Sequence, residues 1–144
     1  MNLAWMIFLA LIAGIAVTLQ GQFMGVMDKQ LGTLESVFIT YVGGGLLVSL
    51  LMIIMRGGKL AQWQNVPWYA FSAGLCGLVI VGSISYIVPR LGLVAGFTLL
   101  VAAQFALAAL ADHFGLFGAS IRPLDFGRLL GLSIMLLGVW LIVR

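Results

Sequence analysis

Residues 93–115 read LVAGFTLLVAAQFALAALADHFG, an apolar run with no charge before Asp112 and a glycine behind His113. A helix needs about 20 mainly apolar residues to cross the hydrocarbon core of a bilayer. Lipid offers backbone amides and carbonyls no water to bond, so a spanning segment satisfies them within its own helix. The same kind of run recurs on both sides of the quoted stretch. Spans are predicted at about 3–26, 34–55, 68–88, 93–111 and 126–143.

The breaks between the runs are where charge, glycine and proline gather. Asp28, Lys29, Gln30 and Gly32 separate the first two spans, with Thr33 placed to cap the second helix. Arg56-Gly57-Gly58-Lys59 stops the second. Trp63 and Trp68 flank the polar 62–67 stretch, where an interfacial belt would place indoles. Pro89, Arg90 and Gly92 are expected to end the third span, since proline lacks a donor and disfavours helix before it. Asp112 and His113 end the fourth and are expected to anchor the following loop, pairing with Arg122 or Arg128.

Composition agrees with this reading. The 144 residues are 63% hydrophobic and 8% charged, with a mean hydropathy of +1.22. A soluble domain carries roughly a quarter charged residues, and four acids with seven bases cannot coat one. The fold class is therefore all-α integral membrane, five transmembrane helices in a single membrane domain over 1–144. The N-terminal run lacks a basic region and is too long for a signal peptide, so it is expected to remain as the first span.

Several function classes drop out. The net charge of +3 is spread over single bases, and no cluster exists to track a nucleic acid backbone. Cys76 and His113 each stand alone, which excludes a disulfide within the chain and a Cys/His metal cage. No Ser/His/Asp set or phosphate-binding loop is present, so neither an enzyme nor a cofactor is expected.

With the N-terminus inside, inner segments hold Arg56, Lys59, Arg122 and Arg128, and outer segments hold Lys29, Arg90 and Arg144. A difference of one is a poor orientation signal. Short loops carry few charges in any case, but near-zero bias is also what an antiparallel homodimer requires.

Polar groups inside spans face other helices or a water-filled cavity. Ser72, Cys76, Ser83 and Tyr86 fall within roughly 40° of one line on the third span. That stripe can bind a ligand, or its serines can serve as interhelical glue. Gln20 and Gln22 lie about 200° apart on the first span, so only one can line a given site. Gly14, Thr18, Gly21, Gln22 and Gly25 share one side of that span, and this glycine stripe, with Gly21 and Gly25 at the small-xxx-small spacing, is expected to mark tight helix packing. Gln104 sits mid-span, where its amide needs partners. Glu35 is either a first-turn acid complementing the helix dipole or a coupling carboxylate. Gly43-Gly44-Gly45 loosens the second helix or lets it pack closely.

The segment Ala102-Ala-Gln-Phe-Ala-Leu-Ala-Ala-Leu-Ala-Asp-His-Phe-Gly-Leu-Phe-Gly118, followed by Arg122-Pro123 and Arg128-Leu-Leu-Gly131, resembles the five-span YdcZ-like family of the drug/metabolite transporter superfamily. Gly14 to Gln20, Val42-Gly43-Gly44 and Val88-Pro89-Arg90-Leu91-Gly92 agree with it, so the resemblance covers nearly the whole chain. It implies a half-size transporter of the bacterial inner membrane, a half-repeat that dimerises antiparallel to reproduce the two inverted repeats of larger relatives. One departure stands out: the family pattern has an Asn about a turn after Gln20, where this chain has Gln22, Phe23 and Met24.

Together these readings predict a secondary transporter of a small metabolite or drug-like compound, working by alternating access in a dual-topology homodimer within the lipid bilayer. Tyr86, Ser83, Gln104 and one of Gln20 and Gln22 are expected to contact substrate, with Glu35 as the coupling carboxylate. Few acids argue against a strongly cation-selective cavity and few embedded bases against a dedicated anion site. A neutral, zwitterionic or weakly charged substrate remains. A dual-topology channel and a non-transporting accessory subunit are the competing readings.

Overall fold

The computed structural model describes residues 2–144, and among them all regular structure is helical. Five helices are long and apolar enough to cross a membrane: α1 (Leu3–Leu31), α2 (Thr33–Ile54), α3 (Ala73–Leu91), α4 (Leu93–Phe114) and α5 (Phe126–Val143). Short 3-10 turns occupy Leu60–Asn65, Trp68–Ser72 and Leu116–Gly118. The second of these leads into α3, so the third span runs Trp68–Leu91. The chain packs as two units, the first ending at Arg90 and the second running Leu91–Arg144.

Three predicted boundaries shift, each for a physical reason. α1 does not stop before Asp28 but continues to Leu31, because the Asp28 carboxylate is neutralised by Arg90 and need not leave the helix. The break comes at Gly32, whose φ of 112° is a left-handed backbone that favours glycine. Gly32, not Thr33, holds the cap position of α2. Thr33 instead donates its hydroxyl back to Asp28.

Pro89 lies inside the last turn of α3 rather than beyond its end. Its ring denies the Ser85 carbonyl one intrahelical bond, but so near the terminus the helix completes its turn, to Leu91. Gly92, with φ 81°, makes the break. α4 likewise runs three residues past Ala111 to Phe114, and closes on left-handed Gly115, whose N–H bonds the Ala111 carbonyl. α5 begins where predicted. Asp125 caps it by accepting from the Arg128 N–H at 2.8 Å.

In the first unit the buried residues crowd one region. Gly21, Met24, Gly25 and Asp28 of α1, Ser36 of α2, and Ile84, Ser85 and Val88 of α3 are buried. A Cβ on Gly25 would stand 3.0 Å from Val88 Cγ1 and 3.4 Å from Pro89 Cδ. The missing side chain is thus what lets α3 approach α1, as the Gly21/Gly25 spacing predicts. Val37 and Tyr41 of α2 lie against the glycines of α3: the Tyr41 hydroxyl is 2.5 Å from where a Gly77 Cβ would be, and Val37 Cγ2 is 3.9 Å from the equivalent point on Gly82. Gly14, Gly43, Gly44 and Gly45 have no such neighbour within 4 Å.

The second unit is a helical hairpin. The Asp112–His113 region does anchor the loop, but not through ion pairs with Arg122 or Arg128. The Asp112 backbone carbonyl accepts from the Arg122 N–H at 2.8 Å, His113 Nδ1 accepts from the Leu124 N–H at 3.1 Å, and Arg128 Nη1 donates to the Arg122 carbonyl at 3.1 Å.

Candidate functional site

The only salt bridge among the described residues joins the end of α1 to the end of α3. Arg90 Nη1 donates to Asp28 Oδ2 at 2.9 Å, and the two side chains are 47% and 4% exposed. Asp28 also accepts from Thr33 at the start of α2, so one carboxylate ties together three helices. Breaking a buried pair from one side is costly because it strands the other charge. This junction is the most tightly specified polar feature of the first unit.

Arg90 makes two further contacts, both with Tyr86. Its guanidinium carbon lies 3.7 Å from the centroid of the Tyr86 ring, a cation–π distance, and Nη1 donates to the Tyr86 carbonyl at 2.6 Å. Tyr86 is exposed at 53%. Ser83 is half-buried and one turn back on the same face. Helix geometry puts Ser83, Tyr86 and Arg90 within about 60° of one another, and Val88, which packs on α1, about 140° from Ser83. The predicted stripe therefore faces away from the Gly25–Val88 contact, and only the long Arg90 side chain reaches back to α1, at Asp28. Arg90 extends it.

Ser72 does not belong to the stripe. It lies in the 3-10 turn, where residues advance about 120° instead of 100°, and its hydroxyl donates to the Tyr69 carbonyl at 2.6 Å. Cys76 is exposed.

Gln20 and Gln22 are both exposed. They flank the buried side of α1, about 100° to either side of Gly21. Glu35, exposed on the first turn of α2, folds back over Gly32, with Oε2 2.6 Å from where a Gly32 Cβ would stand. It also borders an apolar groove of about 500 Å³ with Leu31, Leu34, Phe38 and Ile39. Gln104, in the second unit, is exposed on α4. The groove between α4 and α5, about 410 Å³, is lined instead by Phe105, Ala109, Asp112, Arg128, Gly131 and Met135 among others.

Of the predicted residues, the structure thus gathers Tyr86 and Ser83 on one face of α3, leaves both first-span glutamines at the flanks of α1, and puts Glu35 at a helix start. Sequence reasoning missed Asp28, Arg90, Ser36 and Ser85 as buried or bonded polar groups. Ser36 donates to the Met24 carbonyl at 3.2 Å, whereas Ser85 Oγ is fully buried with no partner among the described residues. A signal for the ion pair was present. In an alternating topology the ends of spans one and three lie on the same side of the membrane, and opposite charges end them.

Comparison with known families is decisive at this point. A family model described as "Putative inner membrane exporter, YdcZ" matches residues 5–141. The chain belongs to this family. Membership accords with the five apolar helices and places the protein in the inner membrane as a membrane exporter, on the side of transporters rather than enzymes. The match takes in the Asp28–Arg90 junction, the α3 stripe and the α4–α5 hairpin alike. No curated protein and no solved structure matches the chain.

Proposed function

We propose that the protein is a secondary transporter that exports a small metabolite or drug-like compound by alternating access, as an antiparallel homodimer of dual-topology chains. The observation that carries this reading is the exporter family match over residues 5–141. The homodimer is supported by the near-balanced loop charges. A five-span unit paired with an inverted copy recreates the inverted-repeat architecture in which transporters bind substrate near the midplane.

Tyr86, Ser83, Gln104 and one of Gln20 and Gln22 are the proposed substrate contacts. In support, no hydrogen bond ties down the three glutamine amides or the Ser83 hydroxyl among the described residues, and an amide within a span requires a partner. Glu35 is the proposed coupling carboxylate if export is proton-driven.

Liposomes containing the purified chain test this, using labelled amino acids, sugars and the dye ethidium as probes under an imposed proton gradient. Saturable flux is expected, and Glu35→Gln should abolish its dependence on the gradient. Unsaturable conductance would point to a channel. No flux without an added second protein would point to an accessory subunit. For topology, Lys59→Cys and Ser120→Cys in a Cys76→Ser background should each label from both faces of intact cells. Labelling from one face alone would exclude the dual-topology dimer.

A further inference from the structure

The guanidinium of Arg90 is held through a single nitrogen. Both bonds that the structure gives it, to Asp28 Oδ2 and to the Tyr86 carbonyl, leave from Nη1. An arginine carries five N–H donors in a planar fork, so the Nη2 and Nε donors have no partner among the described residues. The side chain is 47% exposed while its counter-ion is 4% exposed. One nitrogen of the fork is therefore committed inward, and the side chain is left half exposed.

We infer that the outward edge of Arg90 is the recognition point for a small organic monoanion, bound through a carboxylate or sulfonate group. Asp28 is its resident counter-ion and the Tyr86 ring its platform. This rests on the exporter reading above and names its substrate class as anionic, against the expectation that too few bases are embedded for an anion site, because Arg90 lies within α3 rather than beyond its end.

Three features support a binding role over a simple membrane anchor. An anchoring arginine is free to extend into the headgroups. This one is pinned between a buried carboxylate and an aromatic face 3.7 Å away, which fixes the plane of its fork. A fixed fork matches the two oxygens of an oxyanion. The Ser83 hydroxyl lies two turns back on the same face, about 20° from Arg90 in rotation and roughly 10 Å along the axis, within the stripe proposed for substrate. Lastly, Asp28 balances Arg90 in the empty site, so a bound monoanion leaves the site with a net charge of only minus one. An outward path for such a solute is downhill in potential: about 100 mV, inside negative, favours a monoanion outside by roughly fortyfold. Export of this kind needs no coupled proton, and Glu35 is judged by its own variant.

The same oxyanion chemistry could be supplied by a lipid headgroup phosphate, and the test separates the two sources. The chain is reconstituted in phosphatidylcholine vesicles, treated with phenylglyoxal, and the rate of adduct formation at each arginine is read by mass spectrometry. Benzenesulfonate should slow modification of Arg90 several-fold, leave Arg56 and Arg144 unchanged, and be unmatched by neutral benzenesulfonamide. Protection at Arg90 by phosphatidylglycerol vesicles without added solute, and none by benzenesulfonate, assigns the site to lipid and overturns the inference. Equal protection at every arginine, or none at all, also overturns it.

The second arm follows benzenesulfonate efflux under a potassium-set potential. Arg90→Lys keeps a charge for Asp28 but lacks the second donor edge, and should raise KM roughly tenfold with the unfolding midpoint retained. Protection without flux would uphold the site and reject the exporter reading. Flux that Arg90→Lys leaves unchanged, with no protection at Arg90, would reject the site and uphold the exporter.

Discussion

The two halves of α1 behave as different objects. From Leu3 to Gln20 every residue is exposed, and the one side-chain bond within the span is Thr18 to its own Gly14 carbonyl. From Gly21 to Asp28 the helix buries Gly21, Met24, Gly25 and Asp28, accepts Ser36 on the Met24 carbonyl and pairs with Arg90. Composition does not separate them, since both halves are apolar and rich in small residues. What differs is the partner. The second half is packed by its own chain. The first half meets only what surrounds the chain, which in our proposal is lipid and a second copy.

The sharpest break of that contrast is at the charge pair. Arg90→Gln strands the buried Asp28 carboxylate and should destabilise the protein by about 3 kcal/mol, read as a lowered unfolding midpoint in detergent. Asp28→Asn combined with Arg90→Gln should recover most of the loss, because no unpaired charge remains. A double variant as unstable as Arg90→Gln alone would contradict a purely paired role for Asp28.

Gly25→Val comes next. Its added atoms fall on Val88 and Pro89, and overpacking of this kind costs roughly 1–3 kcal/mol. The matching change in the exposed half, Gly14→Val, meets nothing within 4 Å and should stay within about 0.5 kcal/mol in the monomer. A fall in cross-linked dimer with Gly14→Val, at unchanged monomer stability, would show that the first half is covered by a second copy.

The smallest effects separate two buried serines. Ser36→Ala loses the bond to the Met24 carbonyl and should cost about 1 kcal/mol. Ser85→Ala removes a hydroxyl that has no partner, so it should be neutral or slightly stabilising on the same unfolding assay.

How much of this was legible follows from where polarity is scarce. The spans could be read because in so apolar a chain every charge is punctuation. The start of α5 at Phe126 and the close packing at Gly25 came directly from that pattern. The extension of α1 through Asp28 could not be read locally, since it depends on a guanidinium 62 residues away. Beyond the Gly21/Gly25 face of α1, the rotation of the helices was illegible for another reason. A helix apolar on all sides has no amphipathic stripe to mark its inner face, so nothing nominated Ser36 and Ser85 over Ser83. The pattern singles out Tyr86 from its stripe, whereas Arg90, at the next turn of that stripe, reads only as part of the break that ends the span.

The Asp28–Arg90 pair also sets a timetable for biogenesis. A ribosome adds about 5–20 residues per second, so the 62 residues between them take roughly 3–12 s to make. During that interval α1 is finished and α2 is made while the carboxylate lacks the Arg90 charge. The first hairpin must therefore wait, at the insertion machinery or at the membrane surface, until α3 arrives. The chain's first three spans are then expected to settle as a group rather than one by one.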